Sequence, residues 1–190
     1  WTPMSLMENL LKLHRVDSQV RGLRNRLDAA KRYHTHQSKQ CSDAESQLAE
    51  QQTRRKQTQA MIANLEVETA AADEQIEKFR GDLNSSSTVK QYTAVQTEMN
   101  TVKERRGRID DEILGHMEQV EAIEARIAEI QELVKERQTL REAAGVQLEE
   151  RRGEVGTRLE ELERERAVAA SNVPPAALAI FDELADIYDG

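Results

Sequence analysis

Few residues in this chain are equipped for chemistry, and their spacing decides what each can do. His34 and His36 lie two residues apart, which on a helix points them to different faces. Zinc-binding helices use i and i+3 or i+4, so this pair does not read as a metal site. Cys41 is the single cysteine and can form neither an internal disulfide nor a cysteine-rich zinc site. Its place in a heptad seam marks it as a small buried residue rather than a nucleophile. Phosphate-binding loops, dinucleotide glycine patterns and nucleophile elbows are absent from the sequence. The expectation is a protein with no catalytic residues, not an enzyme, and no cofactor in this chain.

Charge is the stronger signal. The chain carries a net charge of −8, yet residues 78–108 hold seven Lys/Arg against three Asp/Glu. Lys90, Lys103, Arg105, Arg106 and Arg108, with Tyr92 beside them, form the candidate partner-binding site. Such a basic cap on an acidic stalk suits an acidic peptide, an acidic protein or RNA. Tyr92 could anchor a partner or stack on a base, and its plain alternative is a contact that closes a bend. A solvated surface is the plain alternative for the cations, and a purely structural spacer with no specific ligand is the alternative for the whole chain.

What must position these residues is a pair of long helices. From Leu6, alternating steps of three and four meet Leu13, Val20, Leu27, His34, Cys41, Leu48, Ile62, Ile76 and Leu83, with Val16, Leu23, Ala44, Leu65, Ala72 and Phe79 between them. A period of 3.5 residues marks a left-handed coiled coil. The stripe resumes at Tyr92, Val95, Met99 and Val102 and continues to Val134, then drifts toward Leu148, Val155 and Leu162. One polar run, Ser85-Ser86-Ser87-Thr88, separates the two patterned segments. Two near-equal arms and one central break indicate an intramolecular antiparallel hairpin. A homodimer of parallel helices is the alternative that also satisfies the heptads. Folding at Ser86 sets Leu6 near Arg166 and Ile62 opposite Asp110. Between His34 and Thr58 the seam turns polar, through Gln37, Gln51 and Arg55, and should be the loosest part of the rod.

The second arm ends at Val173-Pro174-Pro175, which cannot continue a helix but can begin one. "AALAIFDELADIYDG" then reads as a short amphipathic helix with Leu178, Phe181, Leu184 or Ala185, and Tyr188 on one face. It is too short to stand alone and should pack at the hairpin base near Leu6 and Leu10. The fold expected is all-α: a long antiparallel two-helix coiled-coil hairpin with a short C-terminal helix at its base. Residues 1–171 make the hairpin, with arm one at about 4–83, a tip at 84–88 and arm two at about 89–171; residues 172–190 hold the Pro-Pro break and the last helix. No apolar run approaches the ~20 residues of a membrane span, no signal peptide precedes the first helix, and a reducing cytoplasm is the expected compartment.

Three stretches carry a family likeness: "LLKLHRVDSQVRGLRNRL", the tip "LNSSSTVKQYTAVQTEMN" and "VPPAALAIFDEL". Together they resemble a bacterial family that joins a coiled-coil hairpin to a C-terminal four-cysteine zinc ribbon. Asn84, Val89, Lys90, Tyr92, Ala94, Val95, Glu98 and Met99 fall into the tip pattern of that family. The resemblance implies a chaperone-like adaptor for a protein partner, an alternative sigma factor or a flagellar or secretion component, and admits RNA as a second ligand. It also implies zinc only in a ribbon downstream of Gly190, where this chain stops.

Overall fold

The computed structural model describes residues 3–188. Three helices follow in order: α1 (Pro3–Ser85), α2 (Val89–Ser171) and α3 (Pro175–Tyr188). The first two pack against each other as an antiparallel hairpin, and the described residues contain no strand. Every arm-one seam residue named above is buried or half-buried, which is the outcome a 3.5-residue stripe requires when one narrow face meets a neighbour. By contact the chain divides into two compact units: Trp1–Cys41 with Arg137–Gly190, and Ser42–Glu136.

The second unit contains the turn. Its buried positions include Ala44, Ala72, Ile76, Met99, Ile109, Ile123, Ile127, Ile130 and Val134. Ala44, Ile130 and Val134 form one cluster, with Leu48 and Leu133 packed against it. Thr58 is buried in the polar part of the seam and donates its hydroxyl to the Arg54 carbonyl at 3.1 Å. Arg55 stands 3.7 Å from Glu124, while its Nε, Thr69 Oγ1 and His116 Nδ1 are buried without a hydrogen-bond partner.

At the turn, α1 runs on through Asn84 and Ser85, and only residues 86–88 link the helices. Ser85 and Ser86 both donate to the Asp82 carbonyl, at 3.1 and 2.8 Å, so these hydroxyls close the α1 C-terminus rather than cap the next helix. Capping falls to Thr88, whose Oγ1 accepts the Gln91 backbone N–H at 3.2 Å. No residue here needs positive φ, which is why the turn is made without glycine.

The register differs from a simple fold at Ser86. On that register Asp73 would stand beside Met99, but it meets Arg106, whereas the neighbouring Arg105 meets Glu68, one residue from that register, so the offset here is at most about two turns. Arg166, expected near Leu6, reaches Asp17 instead. The offset is set in the three-residue link, whose length the heptad pattern does not fix. At the start of α2, Val89 is 83% exposed and Lys90 is exposed beside it.

The first unit holds the base. Leu13, Val20, Cys41, Ala144, Leu148, Val155 and Leu162 are its buried apolar residues on α1 and α2. His34 lies against Gly145, where an added Cβ would stand 3.6 Å from Nε2. Beside it, Gln40 accepts from Arg137 at 2.6 Å, and Gln37 is buried with its Oε1 unpartnered. After Ser171 the chain turns sharply: Asn172 and Val173 donate their N–H groups to the Ala169 and Ala170 carbonyls. Val173 is buried, and Asn9 Nδ2 donates to the Asn172 carbonyl at 3.1 Å. Pro175 opens α3, where a missing N–H costs nothing.

The third helix returns along α1 as expected, with His14 edge-on to Phe181 at 6.4 Å between ring centroids. Its inward residues are Ala177, Leu178, Phe181, Asp182 and Ala185; Leu184 is largely exposed, and the side chain of Tyr188 lies outside the described residues. Charge as well as apolar contact holds it. Arg21 donates to the Ala185 carbonyl and to Asp186, each at 3.1 Å, and Arg166 donates to Asp182 at 2.8 Å. Both arginines also bind Asp17, which is 4% exposed.

Candidate protein-docking site at the hairpin tip

The six residues singled out at the tip do not make one basic face. Lys90, Lys103, Arg105 and Arg108 are exposed, Arg106 is half-buried, and Tyr92 is exposed rather than folded into the turn. Arg105 pairs with Glu68 of α1 at 3.3 Å. Arg106 donates to both carboxylate oxygens of Asp73 and, at 2.8 Å, to Asp110. Hydrogen bonding to Asp73, then the charges of Asp110 and Asp73, raise the pKa of the Arg106 guanidinium above its ordinary value. Arg105 and Arg106 are therefore already committed within the chain.

Lys90, Lys103 and Arg108 have no ion pair among the described residues. Helical spacing sends Lys103 to the flank of Arg106 and Asp110, and Arg108 to the opposite flank with Arg105. The surplus of cations seen along the sequence is thus divided around the helix and partly neutralised from α1. What stands exposed at the end of the hairpin is smaller: Val89 and Tyr92, i and i+3 on one face of the first turn of α2, with Lys90 on another face. Sequence reasoning placed Lys90 and Tyr92 among the site residues and named Val89 only within the family's tip pattern, because a first-turn valine gives no signal of its exposure.

Neither histidine of the 34–36 pair is in a metal cluster. His36 Nε2 sits 2.9 Å from Gln40 Nε2, His34 faces Gly145, and among the described residues no group of three metal-ligating side chains converges. None of the described helices is long and apolar enough to cross a membrane.

A helical hairpin closed by a solvated tip defines a coiled-coil hairpin protein. The chain belongs to the family described as the CT398-like coiled coil hairpin domain, whose family model matches residues 13–188. Membership points to a structural or protein-interaction role. No curated protein and no solved structure matches the chain significantly.

Proposed function

We propose that the protein is a non-enzymatic, chaperone-like adaptor that grips a protein partner with the end of its hairpin. The observation that carries this reading is the exposed first turn of α2, where Val89 is 83% exposed, Tyr92 is 46% exposed and Lys90 is open to solvent. An aliphatic and an aromatic side chain on one face can anchor an amphipathic segment of another protein, and a lysine on the flank can attract its acidic residues. The family likeness at Asn84, Val89, Lys90 and Tyr92 supports a partner drawn from transcription, flagellar or secretion machinery, with an alternative sigma factor first among them. Division of the cations between two flanks weakens the RNA reading, since a nucleic-acid strand needs a continuous basic track.

A titration of the intact chain with the cognate alternative sigma factor tests the proposal. Tyr92→Ala and Lys90→Glu should each weaken binding by about tenfold, while Arg126→Glu, far from the turn, should not. Unchanged binding in both tip variants would reject it. Binding of RNA instead, falling steeply with salt and lost with Lys90, Lys103 and Arg108, would replace it.

A further inference from the structure

The base unit carries an apolar strip that its own chain leaves uncovered. Met7, Leu10 and Leu11 of α1 face Ile180, Phe181 and Leu184 of α3 across an open groove of about 280 Å³. Met7, Leu11 and Ile180 are each more than half exposed, and Ile187 continues the strip along α3. Single exposed apolar residues are ordinary, but a contiguous strip of this kind marks a contact surface.

The charges beside the groove say what covers it. Those that bridge the helices are satisfied: Asp17 pairs with Arg21 and Arg166, Arg166 also with Asp182, and Arg21 with the exposed Asp186. Two that border the groove have no ion pair among the described residues, Arg15 on the outer side of α1 and Glu183 on the outer side of α3. They are opposite in sign and stand at about the same height. That height follows from two contacts, His14 with Phe181 and Arg21 with the Ala185 carbonyl, which align α3 parallel to α1.

A two-fold axis parallel to α1 lays the α1 wall of one molecule over the α3 wall of another. It joins the two apolar strips and sets Arg15 against Glu183 twice. Glu8, also on the outer side of α1, then meets the level of Pro175 and Ala176, which carry no charge. We infer that this groove is the isologous contact of a homodimer, with a second copy of the chain as its occupant. The contact is separate from the tip and does not depend on what the tip binds.

Sedimentation equilibrium of the intact chain over a micromolar concentration series tests this. The expected result is a reversible dimer, converted to monomer by Leu11→Asp and by Ile180→Asp with unchanged helical circular dichroism. Should either aspartate disturb folding, a charge swap decides the matter. Arg15→Glu should weaken the dimer by about tenfold, and adding Glu183→Arg should restore it. A wild-type chain that stays monomeric overturns the inference and leaves the groove to a different protein. A dimer untouched by both aspartates, or a swap that restores nothing, overturns it equally.

Discussion

Arg166 on α2 donates its Nε–H to Oδ1 of Asp17 on α1, a contact between residues 149 apart in the chain. Asp17 Oδ2 meanwhile accepts from Arg21 at 2.7 Å, and the same two arginines reach Asp182, Asp186 and the Ala185 carbonyl of α3. One buried carboxylate thereby orients both cations that hold the third helix. For Arg166, the bond to Asp17 raises its pKa against the opposing effect of partial burial. For Arg21, burial pulls the pKa down but bonds to Asp186 and Asp17 raise it overall. Both shifts lie above the ordinary arginine value, so their stabilising contribution is complete at any lower pH and is lost only in extreme alkali.

Replacing Asp17 with Ala removes the carboxylate that joins the two arginines and leaves each with only its α3 partners. We expect a loss of about 3 kcal/mol in unfolding free energy, and faster amide exchange across residues 175–188 than across the tip unit. Chemical denaturation and hydrogen exchange measure the two effects. If residues 175–188 keep their protection in the variant, apolar contact alone holds α3.

Leu13 and Leu162 are fully buried in the base unit. Truncating either to Ala should cost about 3 kcal/mol, through lost apolar transfer and the cavity left behind. Met61→Ala and Val67→Ala, at exposed tip-unit positions, should shift the melting temperature little.

Gln37 gives the opposite sign. Its side chain is buried and its Oε1 has no hydrogen-bond partner, so Gln37→Leu should raise stability by about 1 kcal/mol. Thermal melts read this directly. Destabilisation would mean that the amide fixes the register of the seam, as single polar core positions do in other coiled coils.

The turn offers a fourth test. Thr88→Ala removes the hydroxyl that accepts the Gln91 N–H and should cost about 1 kcal/mol, whereas Thr88→Ser should cost much less. Ser86→Ala removes only a donor to the Asp82 carbonyl at the solvated α1 end, and its effect should be smaller still.

The seam was legible because its period is a property of the sequence alone: each named arm-one position, from Leu6 to Leu83, is withdrawn from solvent. What the period does not contain is the offset between arms. That depends on the path of residues 86–88, and the offset they set made Arg106, read as a surface cation, a partner of Asp73. The base network was missed for a related reason. Asp17 and Arg21 are spaced i and i+4 beside the seam, which is a readable hint, but Arg166 enters only once the offset is known. The apolar face of α3 was read closely, with Ala185 rather than Leu184 turned inward.

The short link also dictates an order of events during folding. Residues that meet near the turn are separated by only 33 residues, as in Asp73 with Arg106, whereas Asn9 must find Asn172 across 163. Loop closure is cheapest for the former, so pairing should start beside Thr88 and travel away from it. The final residues of α3 have nowhere to dock until that zipper has run its course, which makes the base the last part to form on synthesis and the first to open under load.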